Sequence, residues 1–212
     1  MTPPAPEEIE RLFTREDGTF HFSRWGHPIV PVIFGVEEAS LPPLKGAIEA
    51  VVLAAGHRMA EVDPELGTNL MVFFLKDWEE LTALDNLDRL VPELDALVPR
   101  LIAADASQYR LFRFDQNGAI RAAFVFLRMT GDFASRPAEE IGLELAVKAM
   151  LDWSVAAFAQ TSPLVQGGDG IARLRPDISA VLRAAYDPVL PDDSRNPAIA
   201  FRILARAMRN YG

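Results

Sequence analysis

Two apolar-rich runs, Tyr109–Phe114 and Ala119–Met129, are separated by Asp115-Gln116-Asn117-Gly118. Asn-Gly allows positive φ at both central positions of a tight turn, so the spacing predicts an antiparallel hairpin closed by a type I′ turn. A hairpin this apolar needs more strands beside it and helices over it. The chain offers both. Thr19–Trp25 alternates as a strand does, after a turn at Asp17-Gly18. Ile29–Phe34 is apolar and β-branched, and its Pro31 points to a sheet edge or a bulge. Asn69–Leu75 is a further apolar strand.

Helices are expected over Glu7–Thr14, over Leu44–Ala55 with Gly56 ending it, and from a cap at Asp77 through Leu84. Leu87–Ala103 reads as one or two short helices broken by Pro92 and Pro99. The longest candidate is Ala138–Gln160, with Pro137 in its first turn and Glu139 and Glu140 at its positive end. At full length it would extend about 34 Å. The run Gln166-Gly167-Gly168-Asp169-Gly170 breaks the chain. Helices over Asp177–Ala185 and Pro197–Arg209 follow, joined by a loop over Asp187–Asn196. Strands come first and helices last, so the class is α+β.

Half of the 212 residues are hydrophobic, enough for one substantial core. A single domain is expected, with residues 1–22 as tail and short helix, 23–160 as a sheet-and-helix lobe and 161–212 as a helical lobe. The net charge of −9 argues against nucleic acid and anionic membranes as partners. No cysteine is present, which excludes disulfides, thiolate metal sites and cysteine nucleophiles. The first residues show no basic start followed by an apolar stretch, and no apolar run is long enough for a membrane span. A cytoplasmic location is therefore the default expectation.

Ala149–Gln160 (AMLDWSVAAFAQ) carries the residues of most interest. Glu140, Glu144, Lys148 and Asp152 recur every four residues, so one helix would carry them as a polar stripe, with Glu144–Lys148 an exposed ion pair. Asp152 then ends the stripe at the last solvated position of a core helix, or lines a cleft beneath a sheet edge. Trp153 and Ser154 sit beside it, and Asp169 and Arg173 are further cleft candidates.

His21 and His27 flank Trp25 and could meet as two ligands, but read as surface or loop residues, and His57 stands just past a helix end, where a partly positive ring suits the dipole. A Ser–His–Asp site would need Ser154 or another serine beside one of them. The glycine-rich 166–170 lacks the Lys and Ser/Thr of a phosphate loop and reads as a turn. Asp187, Asp192 and Asp193 fit no calcium-loop spacing. Arg173, Arg175, Arg183, Arg195, Arg202, Arg206 and Arg209 read as solubility and helix-end charges, or as a face for an acidic ligand.

The order RWGHPIVPVIFG, GHRMAEVDPELGTNLMVFF, NGAIRAAFVFL, a long helix, then LRPDISAVLRAAYDPVLP resembles a bacterial domain family of unknown function related to zincin metallopeptidases. Leu174, Asp177, Ile178, Val181 and Tyr186 approximate the helix that follows the active-site helix in matrixin-type members. The resemblance implies a mixed sheet, a long central helix and a small helical C-terminal lobe. It also calls for His-Glu-x-x-His, whose histidines hold zinc on one helix face. That motif would fall near Trp153–Ala157, and no histidine follows His57. The expectation is therefore a zincin-like domain without peptidase residues, with no metal and no cofactor. It would act as a binding or scaffold module for a protein or small-molecule partner. A hydrolase using cleft carboxylates such as Asp152 and Asp169 is the alternative, and a binder of a small acidic ligand is the third reading.

Overall fold

In the computed structural model, which describes residues 5–84 and 87–209, three separated apolar runs join in one mixed sheet. Its strands are β2 (Pro31–Phe34), β3 (Leu70–Leu75), β4 (Gln108–Phe114) and β5 (Ile120–Arg128), in the order β2-β3-β5-β4. β2, β3 and β5 are parallel, and β4 returns antiparallel along β5. Pro31 lies in an edge strand, where a missing N–H costs no ladder bond.

Parallel neighbours need a crossover. Helix α2 (Leu41–Ala54) makes the first, between β2 and β3, and covers one face of the sheet. Between β3 and β4 come a 3-10 turn (Trp78–Ala83), α3 (Leu87–Leu90) and α4 (Leu94–Ala103), which cover the other face. Alternation along β5 serves both layers: Ala123, Val125 and Leu127 face α2, while Ala122, Phe124 and Phe126 face α4. Pro92 separates α3 from α4 as expected. Pro99, read as a second break, lies inside α4, where it forfeits one backbone bond while Leu97, Val98 and Leu101 remain buried.

The hairpin is present, but its turn is not type I′. Gly118 has φ +84 and Asn117 does not have positive φ. Asp115 Oδ1 accepts the N–H groups of Asn117 and Ala119, so the aspartate side chain shapes the turn and glycine alone takes the left-handed residue. A register shift between Arg113 and Phe114 absorbs the extra residue. Gly118 is also required for space: a Cβ there would lie 2.5 Å from Asp193 Cγ.

After a short α5 (Asp132–Ser135), helix α6 (Ala138–Met150) packs on α2 over the sheet. The contact runs through Gly142, where a Cβ would lie 2.8 Å from that of Ala47. α6 stops at Met150, ten residues short of the helix expected to Gln160. The reason lies in its last turn, whose four final carbonyls have no intrahelical partner. Each is taken by a side chain. Trp153 Nε1 donates to Val147 O at 2.8 Å, and Arg110 Nη1 to Lys148 O at 3.2 Å. Trp25 Nε1 donates to Ala149 O at 2.8 Å, and Tyr186 Oη to Met150 O at 2.7 Å. Leu151 pairs with Arg24, and Asp152 N–H donates to Ser23 O. The chain therefore continues extended through Asp152 and forms only a 3-10 turn over Val155–Phe158. Of residues 149–159, expected as the buried half of a helix, only Ala149 and Met150 belong to one, and Val155 is 85% exposed.

The N-terminal and C-terminal segments close around this point. Helix α1 (Pro6–Phe13) precedes an extended stretch in which only β1 (Phe22–Ser23) is a strand, paired with β8 (Asp193–Ser194). Arg24 is buried and donates to Asp192 and to the carbonyls of Ala185, Asp187 and Leu190. Residues 161–209 hold a small hairpin, β6 (Leu164–Gln166) with β7 (Ala172–Leu174), then α7 (Pro176–Ala185) and α8 (Ile199–Arg209). Ile178, Val181, Ile199 and Ile203 join the same core as Ile9 and Phe13. The architecture is α+β with a mixed sheet. Among the described residues no helix is long and apolar enough to cross a membrane.

Candidate functional site

A cleft of about 520 Å³ opens between the residues after α1, the edge strand β4 and the C-terminal end of α6. Its lining includes Arg15, Glu16 and Asp17, then Gln108, Arg110 and Phe112, then Lys148, Asp152, Trp153, Ser154, Val155 and Phe158. Residues two apart on a strand share a face, so Gln108, Arg110 and Phe112 turn together toward α6.

Three of the four residues of the polar stripe predicted to be solvated are buried, and Glu140 is half-buried. Glu144 is 9% exposed, Lys148 6% and Asp152 8%. Glu144 is held at 2.5 Å by Lys148 and at 2.6 Å by Arg136. Burial alone would push its carboxyl up, but the ammonium and guanidinium outweigh burial and hold it below the ordinary value. Burial pulls the Lys148 ammonium down despite Glu144 beside it, with Arg110 and Arg136 adding to the fall. The sequence pattern identified the i,i+4 pair correctly and its environment wrongly. β4, Arg136 and the segment after α6 cover the helix face that the spacing alone would leave wet.

Asp152 is not on a helix. Its Oδ2 receives Arg15 Nη2 at 2.7 Å and lies 2.6 Å from His21 Nδ1. His21 Nε2 lies 2.7 Å from Asp193 Oδ1. An ionised carboxylate only accepts, so both contacts are hydrogen bonds together only when both ring nitrogens carry protons. His21 is 2% exposed, against its reading as a surface or loop residue. The whole stretch from Phe20 to Trp25 is buried, and the partners that hold the imidazole come from 131 and 172 residues away.

The other histidines stand apart from this cluster. His57 Nε2 meets the His27 carbonyl at 2.8 Å, and burial lowers the His57 pKa. The partly positive ring expected at that helix end is therefore disfavoured. Ser154 Oγ faces Arg11 O at 3.5 Å and forms no hydrogen bond to a histidine among the described residues, so a Ser–His–Asp arrangement is not assembled.

Of the sequence candidates, Asp152, Trp153 and Ser154 line the cleft. Asp169 and Arg173 do not line it. They pair with each other at 2.6 Å on the exposed β6–β7 turn, and that hydrogen bond holds the Asp169 carboxyl well below its ordinary range. Most of the C-terminal arginines are likewise engaged within the chain. Arg175 pairs with Asp177, and Arg206 and Arg209 with Asp187. Among the described residues no group of three or more His, Asp or Glu is arranged to hold a metal ion.

The residue that sequence reading missed is Arg110. Its one hydrogen bond is the cap to Lys148 O, and no carboxylate lies within ion-pair distance among the described residues. Burial pulls its pKa down to about 10, partly offset by the charges of Asp152 and Glu144. Arg15 and Lys148 are each paired with a carboxylate, so Arg110 is the uncompensated cation of the cleft. A charged residue inside the apolar run YRLFRF was the available signal.

Comparison with known protein families, with functionally described proteins and with solved structures finds no match for this chain.

Proposed function

We propose that this chain is a binding module, without peptidase chemistry, that takes the anionic group of a small ligand into the cleft between β4 and the end of α6. One observation carries the reading: Arg110 lies partly desolvated in that cleft with one carbonyl partner and, among the described residues, no carboxylate at ion-pair distance. A buried charge without a counter-ion is unfavourable, and an incoming anion relieves it. The cleft volume falls in the usual range for small-ligand sites.

The zincin-like resemblance enters this proposal as a likeness in segment order. A peptidase reading lacks its ligands, because no histidine follows His57 and no cysteine is present. Kinship with a silent relative of that family, and a scaffolding role, are part of the same proposal. A hydrolase is the second reading, favoured by the contact of Asp152, which lines the cleft, with the buried imidazole of His21 behind it.

Titration calorimetry with acetate, benzoate and inorganic phosphate separates the two readings, run beside turnover assays on activated esters. The binding reading expects saturable heat from at least one anion and its loss in Arg110→Gln. Ester turnover abolished by Asp152→Asn, with no anion heat, would replace it with the hydrolase.

A further inference from the structure

We infer that the ligand of this cleft is a monocarboxylate with a flat apolar body, and that multiply charged anions are rejected; this rests on the anion-binding reading above. The charge count comes first. The cleft holds three cations, and two are already matched: Lys148 by Glu144 at 2.5 Å and Arg15 by Asp152 at 2.7 Å. Arg110 alone of the three has no carboxylate at ion-pair distance among the described residues, so its guanidinium is the group left to meet a ligand anion. Glu16, Asp17 and Asp152 line the same space. A second negative charge on the ligand therefore meets carboxylates and no free cation.

The shape of the donor comes second. Arg110 spends one Nη1 donor on Lys148 O, and its Nε and Nη2 are not among the buried nitrogens left without a partner. A planar guanidinium edge with two parallel N–H groups matches the two oxygens of a carboxylate.

The walls come third. Phe112 stands two residues along β4 from Arg110, on the same face, roughly 7 Å away. Phe158 and Val155 line the cleft as well, over a Trp153 ring that is stacked on Phe13 at 5.1 Å and nearly fully buried. An aromatic or branched aliphatic body buries apolar area there, and a bare inorganic anion leaves those walls uncovered.

The test is calorimetry on the full chain with benzoate, benzamide, succinate and inorganic phosphate, using wild type, Arg110→Gln, Arg110→Lys and Val155→Asp. Benzoate is expected to bind at least tenfold more tightly than succinate, phosphate or benzamide. Arg110→Gln should lose benzoate at least tenfold, and Arg110→Lys should fall between, keeping charge without the fork. Val155→Asp adds a carboxylate at an exposed position that leaves the core untouched, so it should weaken benzoate severalfold even if the Arg110 variants fold poorly. Phosphate or succinate binding as tightly as benzoate overturns the ligand class while leaving an anion site. Benzamide equal to benzoate overturns the role of charge. No heat from any anion overturns the binding reading itself.

Discussion

Removing one hydroxyl, in Tyr186→Phe, tests the account of how α6 ends. The Tyr186 hydroxyl donates to Met150 O at 2.7 Å, and burial raises its pKa, so it stays a neutral donor. Phenylalanine keeps the ring beneath Arg24, at 5.6 Å, and beside His57, at 4.9 Å. What it removes is the donor to the carbonyl of Met150, a residue only 1% exposed, and the oxygen that the Trp25 N–H meets at 3.4 Å. Leaving a buried acceptor unpaired costs about 1–3 kcal/mol. For a chain of this length about 2 kcal/mol lowers Tm by roughly 4–8 °C. Urea unfolding followed by tryptophan fluorescence and by far-UV circular dichroism measures it. Trp25→Phe takes the neighbouring cap from Ala149 O and should cost a similar amount or more, since ring volume is lost too. Because the two caps hold adjacent carbonyls, the double variant should depart from additivity. A Tyr186→Phe protein within about 0.3 kcal/mol of wild type would refute the idea that side-chain donors, rather than helix propensity, set the end of α6.

Further outcomes follow from the same packing. Trp153→Ala should lose roughly 3–5 kcal/mol in urea unfolding, because a buried ring stacked on Phe13 and a cap on Val147 O go together. Gly142→Ala should destabilise by about 1–3 kcal/mol despite the better helix propensity of alanine, since its methyl enters the α2–α6 contact; a stabilised protein would show that contact is loose. Glu144→Gln should cost up to about 3 kcal/mol at neutral pH, the low end for breaking a buried pair because 23% of the Arg136 side chain stays exposed. The Glu144 carboxyl is held below its ordinary value, so its contribution is fully present above about pH 4.5 and is lost as pH falls through the folded value. Stability of the wild type should therefore fall more steeply than that of Glu144→Gln between about pH 5 and pH 3 in urea titrations; parallel curves would count against the pairing.

Much of the framework was legible because its signals are local. Apolar runs at 29–34, 69–75 and 109–129 became the four strands of the mixed sheet, and Pro31 marked an edge. Gly56 ended a helix with φ +77. Apart from the hairpin turn, the misreadings share one cause: partners distant in sequence. Residues 151–160 have the composition of a helix, yet Ser23, Arg24 and the four capping donors draw the chain out of it. Asp115 accepts two backbone N–H groups and replaces the turn that Asn-Gly alone would favour. The stripe Glu140–Asp152 has surface spacing, but Arg136, Arg110 and His21 close over it from three other segments. Asp152, Trp153 and Ser154 were readable as cleft residues from one apolar stretch. Arg110 was not, because only the fold shows that no carboxylate among the described residues lies within ion-pair distance of it.

The most direct test of the central claim is a crystal structure grown with benzoate. The account expects the carboxylate in the cleft between β4 and α6, with both oxygens roughly 2.7–2.9 Å from nitrogens of Arg110 and the ring against Phe112 or Phe158. An empty cleft at saturating benzoate, or benzoate bound without touching Arg110, would contradict it.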